Sequence, residues 1–142
     1  MSKILILCTG NSCRSQMAQA FLMSYDPCME VYSAGTEPSP EVHPLTIEVM
    51  KEIDFDLSRN KPQPVEKYLN EKFDYVITVC DEANEACPIF TGEVENRLHI
   101  GFDDPAAFVG NEEEKKAEFR KIRDQINKRF RKFFIENIES SK

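Results

Sequence analysis

Five cysteines, at positions 8, 13, 28, 80 and 87, are the residues of this chain best suited to covalent chemistry. The first opens the stretch Cys8-Thr9-Gly10-Asn11-Ser12-Cys13-Arg14-Ser15. A cysteine at the base of a loop with few large side chains, followed closely by an arginine, has the parts of a nucleophilic oxyanion site. Successive backbone N–H groups in such a loop make a nest for a tetrahedral anion, and a helix starting at its end adds its dipole. Arg14 supplies a planar fork that grips two oxygens at once. The same positive field favours the thiolate of Cys8, the form in which cysteine attacks. Ser15 is placed to donate a hydrogen bond to that sulfur, and Gly10 and Asn11 tolerate the left-handed backbone such a loop needs. Cys13 reads as a structural member of the loop, and Cys28, after Asp26-Pro27, as a spare thiol. The cysteine count is odd, there is no C-x-x-C, and His43 and His99 stand apart from any cysteine cluster, so neither a disulfide framework nor a zinc site is expected.

The elements that must position these groups follow from hydrophobic spacing. Residues 3–7 are a short apolar run that reads as a strand buried on both faces. A helix over 14–25 is expected from Met17, Ala20, Phe21 and, less regularly, Met23, ended by Asp26-Pro27. Residues 29–33 are a second strand candidate, and Pro44 suits the first position of a helix carrying Leu45, Val49 and Ile53, with His43 just before it. The β-branched run 75–79 is the strongest strand signal, 97–102 a weaker one, and Phe119, Ile122, Ile126, Phe130 and Phe133 mark a long C-terminal helix. Strands alternating with amphipathic helices predict an α/β domain, a parallel sheet wrapped by helices, with residues 1–142 forming one unit. Such sheets bind ligands at the carboxyl ends of their strands, and Cys8, Cys80 and Asp103-Asp104 each follow a strand. Asp103 and Asp104 are also suited to capping the following turn.

Composition narrows the classes. Asp and Glu number 25 against 18 Lys and Arg, a net charge of -7, whereas a phosphate-neutralising nucleic-acid binder is basic. The basic run at 128–132 lies on the long helix and reads as a solvated face. The early apolar run is far short of the roughly 20 residues of a membrane span and too short for a signal peptide, so a cytoplasmic protein without nucleic-acid or membrane partners is expected.

The stretch CTGNSCRS resembles the anion loop of the low-molecular-weight protein tyrosine phosphatases and of the arsenate reductases built on the same fold. Asp104-Pro105, within GFDDPA at 101–106, resembles the family's general-acid motif. The resemblance spans nearly the whole chain. It implies a four-stranded parallel sheet in order 2-1-3-4 flanked by helices. It also implies Cys8 as nucleophile, Arg14 and the amides of Thr9 to Ser15 as oxyanion holders, and Asp104 as proton donor. Cys80 and Cys87, in CDEANEACP, resemble the branch that reduces arsenate with three cysteines and thioredoxin. In that chemistry Cys8 attacks arsenate, Cys80 attacks the adduct and releases arsenite, and Cys87 moves the disulfide to Cys80–Cys87. Some members of this branch bind potassium through Asn11 and an acidic residue on the first helix. Gln19 stands at that helical position here, so neither potassium nor another cofactor is expected.

Three alternatives remain open at this point. A phosphatase would use the same loop, because phosphate and arsenate share charge and shape. A reductase coupled to glutathione and glutaredoxin would not need the Cys80/Cys87 pair. A redox-sensing or oxyanion-binding module would have a reactive Cys8 without turnover. A monomer is expected. If 80–87 is helical when reduced, a rise of about 1.5 Å per residue separates the two Cα atoms by roughly 10.5 Å. A disulfide spans about 4.4 to 6.8 Å, so residues 80–90 would have to unwind on oxidation.

Overall fold

Ile4, Leu5, Ile6 and Leu7 are fully buried, which requires a strand covered on both faces. They belong to β1 (Lys3–Cys8), which pairs in parallel with β2 (Glu30–Gly35) on one side and β3 (Phe73–Thr78) on the other. β3 in turn pairs with β4 (Val94–His99), also in parallel, giving the order β2-β1-β3-β4 that the resemblance implies. The structure is a computed structural model and describes residues 2–80 and 90–139. The expected unwinding of 80–90 and the position of Cys87 lie outside the described residues.

Among the described residues three helices, α1 (Arg14–Tyr25), α2 (Pro44–Lys51) and α3 (Glu112–Asn137), accompany the sheet. On one face Ile4, Ile6 and Ile77 pack with Met17, Phe21 and Leu22 of α1 and Phe119, Ile122, Ile126 and Phe130 of α3. On the other face Leu5, Leu7 and Val76 pack with Tyr68, Phe73 and Phe90. Each fully buried side chain of this size contributes roughly 1.5–3 kcal/mol. α3 begins with a capping box: Asn111 accepts from the Glu114 N–H and the Glu114 carboxylate accepts from the Asn111 N–H. Glu112 and Glu113 in its first turn suit the positive end of the dipole.

The structure corrects the sequence reading in three places. On α1 the buried stripe runs through Met17, Ala18, Phe21 and Leu22, while Met23 is 51% exposed. β4 lies three residues earlier than its apolarity suggests, because its register is set by pairing of Phe73 with Val94 and Tyr75 with Asn96. Ile100 and Phe102 are apolar because they are buried beyond the sheet, whereas β4 is an edge strand and largely exposed. Two short 3-10 turns, Val65–Tyr68 and Pro105–Ala107, were not expected. No helix among the described residues is long and apolar enough to cross a membrane.

Candidate active site

The loop from Cys8 to Arg14 joins β1 to α1, and its shape is held from outside. The carbonyls of Thr9, Gly10 and Ser12 accept hydrogen bonds from the N–H groups of Glu37, Ser39 and His43 at 3.0, 2.9 and 3.0 Å. In a trans peptide the carbonyl and the next N–H point in opposite directions. The N–H groups of Gly10, Asn11 and Cys13 are therefore turned away from the 37–43 segment, and that of Asn11 donates to Cys8 Sγ at 3.2 Å. Asn11 takes the left-handed conformation, with φ 52°, and Gly10 does not. At Gly10 a Cβ would lie 2.8 Å from Ser39 Oγ, which would have to rotate away. Gly35, at the end of β2, is still more restricted, since a Cβ would lie 2.3 Å from the Thr9 carbonyl oxygen.

A largely buried hydrogen-bond network fixes Asn11. Its Nδ2 donates to Ser15 Oγ at 2.7 Å, and its Oδ1 accepts from Gln63 N at 2.8 Å and Gln16 Nε2 at 3.3 Å. Ser15 Oγ, which accepts from Asn11, also shares a hydrogen bond with Cys8 Sγ, 3.2 Å away. The Asn11 N–H and the Ser15 hydroxyl thus converge on one sulfur. Cys13 has the opposite surroundings. Burial pushes its thiol up to about 11, with hydrogen bonds from Thr46 and Ser12 only partly offsetting this. It stays a protonated, structural thiol, as the sequence suggests.

Arg14 is almost fully buried. Its Nη1 donates to the Phe102 carbonyl at 3.0 Å, and its Nη2 lies 3.8 Å from Asp104 Oδ2. The other oxygen of Asp104, Oδ1, accepts from the Ala106 N–H at 3.0 Å and caps the short turn at Pro105–Ala107. The capping and catalytic readings of Asp104 are therefore compatible, one oxygen for each. Asp103 takes no part in the cleft.

A cleft of about 440 Å³ collects the groups. Cys8, Thr9, Gly10, Ser12, Cys13, Arg14 and Asp104 line it, and Asn11 and Ser15 lie behind the sulfur. Cys80 is fully buried just beyond β3, does not line the cleft, and is disulfide-bonded, whereas Cys8, Cys13 and Cys28 are free thiols. Sequence reasoning missed four contributors: Glu37 and Ser39 on the rim, His43 as a cleft residue, and Gly35 as the position that lets the loop close against β2. A glycine inside a strand is the signal for such a close approach. The other three lie in a proline-rich stretch with no local mark of the site.

A larger hollow of about 640 Å³ lies behind the loop, lined by Gln16, Gln19, Ser33, Asn60 and Gln63 among others, and holds none of the candidate nucleophiles. Here Gln19 Oε1 accepts from Ser33 Oγ at 2.6 Å and Gln19 Nε2 donates to the Val31 carbonyl at 3.0 Å. Asn11 Oδ1 and Gln19 Oε1, the oxygens such a site would use, carry no charge and already accept hydrogen bonds from Gln63 N, Gln16 Nε2 and Ser33 Oγ. Among the described residues, no three His, Cys, Asp or Glu side chains gather as a metal site.

A cysteine at the base of a strand–loop–helix nest, on a parallel sheet of order 2-1-3-4, defines a phosphatase-like class of α/β protein. The chain belongs to the low molecular weight phosphotyrosine protein phosphatase family, which it matches over residues 3–142. It is 45% identical to an arsenate reductase of Halalkalibacterium halodurans over 131 residues, covering 92% of this chain and 93% of that one. Among solved structures it is similar to an arsenate reductase in its phosphate-binding state, with TM-score 0.74 and 28% identity over 96% of this chain and 98% of that one. A thioredoxin-dependent arsenate reductase of Corynebacterium glutamicum is also similar, with TM-score 0.70 and 27% identity, covering 100% of this chain and 64% of that one.

Proposed function

We propose that this chain reduces arsenate to arsenite, and that the converging hydrogen bonds on Cys8 Sγ at the base of the Arg14–Asp104 cleft are the observation that carries this reading. The Cys8 thiolate attacks arsenic(V), and Asp104 gives a proton to the departing oxygen, which leaves as water. Arg14 and the loop amides hold the charge that develops on the remaining oxygens. Cys80 then attacks the Cys8 sulfur. The electron pair of the sulfur–arsenic bond stays on arsenic, releasing arsenite and leaving a Cys8–Cys80 disulfide. Cys87 attacks Cys80 in turn, freeing Cys8, and thioredoxin reduces the Cys80–Cys87 disulfide by ordinary exchange. That Cys80 is found disulfide-bonded while Cys8 is free supports such a division of labour. The names of the relatives support the substrate, and the C. glutamicum neighbour supports thioredoxin over glutaredoxin. No resident cofactor is needed, and the self-satisfied amides around Gln19 support a loop that works without potassium.

A second reading, phosphoester hydrolysis through a Cys8 phosphocysteine, is favoured by the family and by a cleft suited to any tetrahedral oxyanion. Arsenate-dependent NADPH oxidation with thioredoxin and thioredoxin reductase, run beside phosphoester hydrolysis, separates the two. Cys80→Ser or Cys87→Ser should abolish arsenate turnover and leave any hydrolysis largely intact. Wild-type turnover in Cys80→Ser would overturn the relay. Asp104→Asn should slow turnover more than it weakens anion binding.

A further inference from the structure

His43 takes part in two structures at once. It is the residue before α2, where its Nδ1 accepts a hydrogen bond from the Leu45 N–H at 3.1 Å and so caps the helix. It also lines the cleft together with Cys8, Arg14 and Asp104. An imidazole nitrogen that accepts a hydrogen bond carries no proton, so the neutral ring must carry it on Nε2. Burial pushes the imidazole below its ordinary value of 6.5, Asp104 opposes this and Lys115 adds to it, so the ring is neutral near pH 7. The ring packs against Phe119 with centroids 4.8 Å apart. With Nδ1 turned to α2 and a face held by Phe119, Nε2–H is the polar group the ring has left for the cleft.

We propose that His43 is an anion-recognition residue, its Nε2–H donating to an outer oxygen of the tetrahedral oxyanion held by the Cys8–Arg14 loop. This rests on the reading of the cleft as an oxyanion site and adds a residue to it. Arg14 cannot serve every oxygen, because its Nη1 is bonded to the Phe102 carbonyl. The hydroxyls of Thr9, Ser12 and Ser39 rotate, whereas the His43 ring is held by the helix cap and by Phe119, and a preoriented donor costs nothing to reorganise when the anion arrives.

The probe is inorganic phosphate, and the readout is protection of Cys8 in the full-length reduced protein from iodoacetamide, followed at the Cys8 peptide by mass spectrometry. His43→Asn keeps a side-chain oxygen to cap α2, while its shorter side chain holds its own N–H donor back from the cleft. It should raise the half-protecting phosphate concentration about tenfold, the effect of one hydrogen bond to a charged oxygen, with little change in Tm. His43→Ala loses donor and cap together and should show the same loss of affinity with a lower Tm. Unchanged protection in His43→Asn, or affinity that merely follows Tm across the two variants, would overturn the proposal. Absence of phosphate protection in the wild type would instead overturn the oxyanion reading itself.

Discussion

Cys8 and Cys13 bound the same loop, five residues apart, and both are buried, at 3% and 4% exposure, yet their surroundings differ in kind. Around Cys8 the chain aims a backbone N–H and a serine hydroxyl at the sulfur, each at 3.2 Å. Around Cys13 desolvation dominates, and hydrogen bonds from Thr46 and from Ser12 Oγ, the latter at 3.7 Å, only partly offset it. Where burial outweighs the donors, as at Cys13, a thiol stays protonated and inert. Proximity to the loop is therefore not what selects the reactive sulfur.

The largest expected break in this comparison is Cys8→Ser, which should lower arsenate reduction and any phosphoester hydrolysis by about a thousandfold or more, as loss of a nucleophile does. Cys13→Ser should keep both within about threefold, because its site asks only for a small buried group. Steady-state assays of the two variants side by side decide it, and equal losses would mean that the two sulfurs share the work. Next in size is Arg14→Lys. An ammonium cannot reproduce the fork that reaches Phe102 and Asp104 while facing the cleft, and kcat/KM should fall about 100-fold.

Ser15→Ala sharpens the comparison by removing one of the two donors on Cys8. It should cut the rate of Cys8 alkylation and of turnover about tenfold, with Cys13 unaffected. A pH experiment reads the other sulfur. The folded-state value of Cys13 is raised from 9.0 to about 11, so its stabilising contribution is fully present below 9 and is lost as pH rises through about 11. Thermal unfolding of Cys13→Ser should accordingly be less sensitive to pH over that window than the wild type, and iodoacetamide at pH 8 should label exposed Cys28 and leave Cys13 untouched.

The smallest effect lies away from the loop, where Glu52, just past α2, holds that helix to Arg120 and Arg123 of α3. The Arg120 hydrogen bonds draw its carboxyl down to about 2, against the opposing effect of burial and with help from Arg123. A depressed value stabilises the fold above about 4.5, and the contribution disappears as pH falls through about 2. The side chain is 31% exposed, so solvent screens the pair and Glu52→Gln should cost about 1 kcal/mol at pH 7 in denaturant titrations. A much larger loss would mean that α2, and with it the His43 rim, depends on this contact.

Much of the molecule could be read from residue types and spacing. β1, α1 and α3 appear where periodicity puts them, and Cys8, Arg14 and Asp104 meet in one cleft. The misplacement of β4 has a definite cause. Ile100 and Phe102 look like strand residues because they are apolar, but they are buried where the chain leaves the sheet and where Phe102 presents its carbonyl to Arg14. Met23 fits the helical spacing less regularly and is exposed while Leu22 is buried, since one residue along a helix rotates a side chain by about 100° and local sequence does not mark which edge of the stripe faces the sheet.

By itself the sequence determined the reactive parts: a cysteine, a small-residue loop, an arginine and an Asp-Pro pair, on alternating strands and helices. These are local properties, carried by neighbours a few positions apart. Only the tertiary structure decided how the loop is held and which groups form its rim. The N–H groups that take up its carbonyls come from Glu37, Ser39 and His43, and the room for Thr9 comes from Gly35. Those residues become neighbours of Cys8 because β2 pairs with β1 in a parallel register that matches Cys8 with Gly35. Such a register is set by burial on both faces of the sheet and by satisfaction of backbone hydrogen bonds across long stretches of chain, and no short motif records it.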